Sequence, residues 1–335
     1  MKLKICIGPM SKEIINCLSL FSKKNKTQIV LIASRNQIDI KEFGGGYVNN
    51  FDTEHYANYV KNKKNDYLIM ARDHCGPYTN SNITKTKSLK KEIENTKKTL
   101  CSDIQNDFKI IHIDTSKVDK RFKYKVAKEL INFCNFTAIK LNKKIEFEFG
   151  CEEHGLLRSV KEFKDDLKFL RQFKNIKFIV CQTGSLVKSV FQVGQFDFKK
   201  VPFMKKLASK QGIELKEHNC DYLNFDQIKL RKLYNIDALN IAPEFGYIQS
   251  LLTLRLCKEY KIKEFDNFYK FVIKKKSWIK WNYNNENNEI KFLSSAHYHF
   301  NSNIYKKVLS KLSKYLDFEK KLYSNISYRL KNYLI

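Results

Sequence analysis

The sequence predicts a closed barrel of eight parallel strands alternating with eight helices, and three observations carry that reading. Short apolar runs rich in β-branched residues recur between longer amphipathic segments, which is the pattern of βα units. Eight such units fill about 260 residues, the size of one (β/α)8 core. The first run ends in Gly8-Pro9, without the glycine-rich phosphate turn that a dinucleotide-binding open sheet, the alternative α/β arrangement, would need.

Strands are expected at Lys2–Gly8, Gln28–Ser34, Asp66–Arg72, Phe108–Asp114, Lys144–Phe149, Ile176–Gln182, Glu214–Asn219 and Asp237–Ala242. Amphipathic helices are expected between and after them, at Ser11–Lys23, Thr53–Lys63, Thr86–Asp103, Lys120–Leu141, Val160–Phe173, Val201–Gln211, Phe225–Tyr234 and Tyr247–Tyr260. Beyond Lys263 the alternation breaks into Lys-, Asn- and Tyr-rich helix with a polar loop at Asn282–Asn288. The chain therefore divides into a barrel over 1–262 and a C-terminal helical extension over 263–335 that packs on it.

Composition narrows the function classes. In 335 residues, 43% are hydrophobic and 29% charged, enough apolar material for a large core and too much for a disordered chain. No stretch approaches the roughly 18 to 20 apolar residues of a membrane span, and the opening MKLKICIGPM lacks the apolar region of a secretion signal, so a soluble cytoplasmic protein is expected. The nine cysteines include no CxxC pair, which points away from disulfide frameworks and zinc fingers. A net charge of +28 raises nucleic acid as a partner, but the lysines are spread over nearly every helix rather than clustered, as on a solvated face. Neither nucleic acid nor membrane is expected as a partner, and such a surface would still attract a phosphorylated sugar.

Barrel enzymes carry their chemistry at the C-terminal ends of the strands. Here those ends read Arg72-Asp73-His74, His112-Ile113-Asp114, Glu146-Phe147-Glu148, Gln182-Thr183-Gly184, His218-Asn219 and Asn240. Strand parity turns His112 and Asp114 inward, and likewise Glu146 and Glu148. Carboxylates buried beside imidazoles are costly unless paired or metal-bound, so this convergence points to a divalent cation. His74 and His218 are the expected ligands, Glu148 or Gln182 supplies a third, and Asp114 orients a ligand from behind. Two imidazoles with oxygen donors suit zinc, and Mn or Co would also fit. Asp73 is placed to transfer protons, with a salt bridge to Arg72 as its plain alternative. The glycine-bounded loop of Glu152 and Glu153 either closes over the site with a general base or carries solubilising charge. Lys216 either pairs with Glu146 or binds a substrate phosphate.

Taken together, Asn36-Gln37, Gly44-Gly45-Gly46-Tyr47, Asp73-His74-Cys75-Gly76-Pro77, His112-Ile113-Asp114-Thr115-Ser116, His218-Asn219-Cys220-Asp221-Tyr222 and Ser327-Tyr328-Arg329-Leu330 are informative. Over essentially the whole chain they resemble the non-catalytic subunit family of class II tagatose-bisphosphate aldolase, a branch of the class II aldolase barrels that includes ketose-phosphate 4-epimerases. The resemblance implies metal ligation by His74 and His218, with Glu148 beside the metal, and proton transfer by Asp73 with Glu152 or Glu153. It also implies a substrate shell of Asn36, Gln37, Asp114, Glu146, Gly184, Ser185, Lys216 and Asn240. Two departures from the catalytic branch stand out: Gln182 replaces a histidine ligand, and Asn219-Cys220-Asp221 replaces a glycine- and serine-rich phosphate cradle. The implied activity is metal-dependent retro-aldol chemistry on a ketose or ketose phosphate, as an aldolase or a C4 epimerase. The alternative is a stabilising subunit that partners a catalytic class II aldolase, and a homo-oligomer is a further expectation.

Overall fold

The computed structural model describes residues 3–81, 83, 86, 88–150, 159–282 and 285–334. Eight parallel strands close into a barrel in strict chain order: β1 (Lys4–Ile7), β2 (Ile29–Ser34), β3 (Leu68–Cys75), β4 (Ile110–Ile113), β5 (Glu146–Phe149), β6 (Ile176–Cys181), β7 (Glu214–Glu217) and β8 (Ala238–Ile241). The ring is sealed where Lys4 to Ile7 register against Ala238 to Ile241. Outside run α1 (Lys12–Lys24), α2 (Thr53–Lys61), α3 (Leu89–Gln105), α4 (Lys123–Lys140), α5 (Val160–Leu170), α6 (Lys200–Ser209), α7 (Phe225–Leu233) and α8 (Pro243–Glu259).

Parity divides the core in two. Ile5, Ile7, Ile111, Ile113, Phe147 and Phe149 pack outward beneath the helices. Cys6, Val30, Ile32, Ala71, Ile110, Phe178 and Ala238 fill the barrel interior, so the residues two positions further along several strands rise toward the C-terminal mouth.

Two elements depart from the sequence reading. Helix α8 begins four residues earlier than expected, because Pro243 occupies its first turn, where a fixed φ suits the helix and the missing N–H costs nothing. Between β6 and α6 the chain forms an antiparallel hairpin of Val187–Lys188 with Phe191–Gln192, too short to leave an alternating signature.

The remaining helices, α9 (Glu264–Lys275), α10 (Asn288–Ser295), α11 (Asn303–Leu312) and α12 (Phe318–Leu334), share the outer apolar core, which is one cluster from Leu3 to Tyr333. Helix α12 lies against α1, α8 and α7. Near its end, the Tyr333 hydroxyl sits 2.6 Å from Glu244 Oε2 and 3.0 Å from the Cys220 carbonyl, and Arg329 donates to the Leu223 carbonyl at 2.7 Å. These contacts tie the extension to the loop that follows β7 and to the first turn of α8. No helix among the described residues is long and apolar enough to cross a membrane.

Candidate metal centre

Four buried side chains converge at the barrel mouth. Asp73, His112, Glu148 and His218 each offer a donor atom, and these atoms all lie within 4.8 Å of one another. They come from the C-terminal ends of β3, β4 and β5 and the first residue after β7. Glu148 Oε1 is 3.1 Å from His218 Nε2, and His112 Nδ1 is 3.3 Å from Asp73 Oδ1 and 3.7 Å from Glu148 Oε1. Two carboxylates drawn to one imidazole nitrogen that carries at most one proton is the arrangement of a cation site.

Adjacent residues in a regular strand face opposite ways, yet Asp73 and His74 both line the mouth. The β3–β4 register shifts between Arg72 and Cys75, and His74 has φ +44°, a left-handed conformation that a non-glycine residue holds only under tertiary constraint. His74 Nδ1 lies 2.8 Å from Asp114 Oδ2, whose other oxygen accepts from the Ser116 N–H at 2.8 Å. A Cβ at Gly76 would fall 1.6 Å from the Asp114 carbonyl oxygen, so only glycine lets the two loops approach this closely. His74 Nε2 stands 3.8 Å from Asp73 Oδ2. His74 therefore stands beside the four-residue group, with its other nitrogen fixed by Asp114.

Beneath the group, buried Lys216 places Nζ 2.6 Å from Glu148 Oε2. Burial alone would raise the Glu148 carboxyl, but Lys216, His112 and His218 bring it down to about 2. Burial opposes ionisation of Asp73 too, yet His74, the hydrogen bond with His112, His218 and Lys216 hold it well below the ordinary range. For His74 burial works against the charged form, and Asp73 and Asp114 overcome it and raise the imidazole. Donor chemistry tests the fit of a metal: the carboxylates of Asp73, Asp114 and Glu148 converge with the Lys216 ammonium and the imidazoles of His74, His112 and His218, and carboxylate oxygens beside imidazole nitrogens are donors that a divalent cation takes in place of protons. The donor set fits such an ion.

The same shifts fix how metal-free protein responds to pH. Glu148, depressed in the fold, stabilises it above about pH 4.5, and that contribution disappears as the pH falls toward 2; it amounts to about 3 kcal/mol. Asp73 steepens this acid loss. His74, raised in the fold, stabilises below the ordinary imidazole value and loses that contribution as the pH climbs through its folded value. Denaturant titrations in a chelator should give maximal stability in mildly acidic buffer. A flat profile between about pH 5 and 2.5 would contradict the ionised site.

Above the group opens a cavity of about 650 Å³. Asn36, Gln37, Asp73, His74, Asp114, His218 and Asn240 line it, together with Tyr47, Asn219 and Asp221. Asn36 Oδ1 accepts from Ser81 N and Oγ, and Gln37 Oε1 accepts from the Ser34 N–H at 2.8 Å. Three buried polar atoms on the wall, Asn219 Nδ2, Asn240 Oδ1 and His297 Nδ1, have no hydrogen-bond partner. Such atoms are costly unless a ligand or water satisfies them.

Several expected site residues lie elsewhere. Glu146 is the exposed first residue of β5 and pairs with Lys177 at 2.8 Å. It shares the inward parity of Glu148 but lies two positions nearer the opposite, N-terminal mouth. Lys216 pairs with Glu148 rather than Glu146 and does not line the cavity, so it cannot meet a substrate phosphate there. Ser185 is buried in a network with Glu217, Thr183 and Arg231. Gly184 has φ +103° and packs where a Cβ would lie 1.8 Å from the Gln195 carbonyl oxygen; neither residue lines the cavity. Gln182 is buried with Nε2 unpartnered, and no side-chain hydrogen bond joins it to the four-residue group. Arg72 points outward to Asp103, at 2.5 and 2.8 Å, so it is not the partner of Asp73. Glu152 and Glu153 lie outside the described residues.

Two contributions were missed in the sequence. Strand parity turns His112 inward without marking it as a ligand, although that parity and its place at a strand end are the available signal. The extension also supplies Ser277, Lys280, Trp281, His297, Tyr298 and His299 to the cavity wall, which no periodicity announces.

No protein-family model and no curated protein matches the chain. Solved structures do. A probable tagatose 6-phosphate kinase from Sinorhizobium meliloti 1021 aligns with TM-score 0.81 at 13% identity, covering 100% of this chain and 99% of that one. The fructuronate-tagaturonate epimerase of Cohnella laeviribosi aligns at 0.62 and 12%, covering 99% and 81%. The fructose-bisphosphate aldolase of Campylobacter jejuni aligns at 0.56 and 12%, covering 99% and 90%. At these identities the likeness is one of fold, and that fold is shared with sugar aldolases and an epimerase.

Proposed function

We propose that this chain is a divalent-metal-dependent retro-aldol enzyme acting on a ketose or ketose phosphate, as an aldolase or a C4 epimerase. The observation that carries this reading is the buried group of Asp73, His112, Glu148 and His218 at the floor of a cavity with unsatisfied polar walls. His112, His218 and Glu148 would hold the ion, with His74 beside them; zinc suits this set, and Mn or Co fits it too. When bound, the ion supplies Lewis acidity to the substrate carbonyl.

The chain's own residues carry the protons. Asp73, ionised in the resting site, lines the cavity and is the acceptor for the C4 hydroxyl proton as the C3–C4 bond breaks into an aldehyde and an enediolate. Returning that proton to C3 completes cleavage. If the aldehyde turns and re-adds instead, the product is the C4 epimer. Glu152 or Glu153 is the second proton-transfer group in this scheme, while Asn36, Gln37 and Asn240 hold substrate hydroxyls.

A buried lysine invites the other retro-aldol route, through a Schiff base. Lys216 is ill suited to it: its ammonium is clamped by Glu148 and, despite burial, kept protonated above its ordinary range by Cys6, Glu148 and Asp73, whereas an amine nucleophile must be neutral. Borohydride added during turnover should neither inactivate the protein nor add substrate mass to it; a labelled Lys216 would overturn the metal-dependent reading.

The direct test is metal-loaded protein with a panel of ketoses and ketose phosphates, scored for cleavage and for C4 epimers. Asp73→Asn is expected to lower kcat by about 10²- to 10⁴-fold. The second reading, a stabilising subunit, draws support from Gln182 and from Asn219-Cys220-Asp221. It would prevail if the metal-loaded protein turns over nothing alone but raises the stability of a catalytic class II aldolase mixed with it.

A further inference from the structure

We propose that Lys117 and Lys280 form an anion subsite at the mouth of the cavity, which takes the terminal phosphate or carboxylate of a sugar whose reacting carbons lie over the Asp73–His112–Glu148–His218 group. This rests on the reading of that cavity as the substrate site. Lys117 follows β4 and Lys280 comes from the extension, so the two cations reach one cavity from separate parts of the fold. Lys117 is anchored by a 3.2 Å hydrogen bond from Nζ to the Tyr78 carbonyl, and Lys280 Nζ sits 5.2 Å from the Trp281 ring centroid.

Charge gives the subsite its purpose. The carboxyls on the cavity wall are engaged elsewhere: Asp73 with His112, Asp114 with His74 and the Ser116 N–H, and Asp221 with the Glu244 N–H. No carboxylate among the described residues pairs with Lys280, and the charged neighbour that acts on it is Lys117, which together with loss of water holds its ammonium below the ordinary value. Both lysines line the one cavity, so an anion seated between them gains charge-assisted contacts from two separate parts of the fold. The turn after β7 offers no competing site, since it presents Asp221 to the cavity rather than a cation or a row of glycines.

The test is calorimetric titration of the full chain at low ionic strength with fructose, fructose 6-phosphate and fructuronate, which share a carbon skeleton and differ at C6. Wild type is expected to bind one anionic probe at least about tenfold tighter than fructose. Stronger binding of fructose 6-phosphate assigns a phosphate ester, and stronger binding of fructuronate assigns a carboxylate. Lys280→Ala and Lys117→Ala should each lose much of that preference and the double variant all of it. Lys280→Arg should keep it, with unchanged circular dichroism and metal content throughout. Equal binding of the three sugars by wild type, or a preference that survives in the double variant, overturns the subsite. Wild-type protein that holds no metal yet prefers the anions removes the retro-aldol reading and leaves the subsite standing.

Discussion

His218→Ala should emerge from purification without its metal and with turnover reduced by roughly 10³-fold or more, because several kcal/mol of charge stabilisation at the substrate carbonyl depends on that ion. Glu148 Oε1 lies 3.1 Å from His218 Nε2, so the truncation removes one donor and leaves a second without its neighbour. His112→Ala should behave in the same way. Gln182→Ala, by contrast, should retain metal, since no side-chain hydrogen bond connects Gln182 to the group. Elemental analysis of wild type and the three variants, beside steady-state rates, checks this. Full metal content in both histidine variants would refute the donor set, and loss in Gln182→Ala would restore the ligand expected from the sequence.

The second large effect concerns stability. Lys216→Met keeps the unbranched stem of the side chain and deletes the ammonium that faces Glu148 at 2.6 Å, leaving a carboxylate buried without its partner. Breaking such a pair from one side costs about 3–5 kcal/mol, measured as a shift in denaturant midpoint at neutral pH with metal removed. Adding Glu148→Gln should recover a large part of the loss, because the uncompensated charge is then gone. If Lys216→Met unfolds where wild type does, the pair contributes nothing and the charge pairing argued for the site is wrong. Metal affinity should fall in the single variant as well, typically by 10- to 100-fold for a group supporting a ligand.

The barrel was legible because burial imposes a two-residue period on the strands and a longer one on the helices. That period places Glu148, His112 and Asp114 on the inner face without any knowledge of contacts. It failed where the backbone leaves the ideal ladder. Asp73 and His74 would face opposite ways in a regular strand, and only the register shift with a left-handed His74 brings both to the mouth. Parity also fixes a face but not a height, so Glu146 read as equivalent to Glu148 while lying at the other end of the barrel. Ser185 was drawn away by Glu217 and Arg231, partners 32 and 46 residues distant. Nor does any local pattern reveal that Lys280 and His297, more than 160 residues beyond Lys117 and His112, complete the same cavity.

The hydroxyl of Tyr333 against Glu244 and the Cys220 carbonyl has a consequence for synthesis of the chain. A ribosome releases the eight βα units in order, and each can dock on the one before it as it emerges. The loop after β7, which carries Asn219 and Asp221, and the first turn of α8 gain this clasp only once residue 333 has been translated. A polypeptide stalled or clipped before α12 would carry every residue of the metal group and still lack the brace that seats its rim. The seating of that rim thus waits on translation having reached residue 333, the last step in the synthesis of the fold rather than an early one.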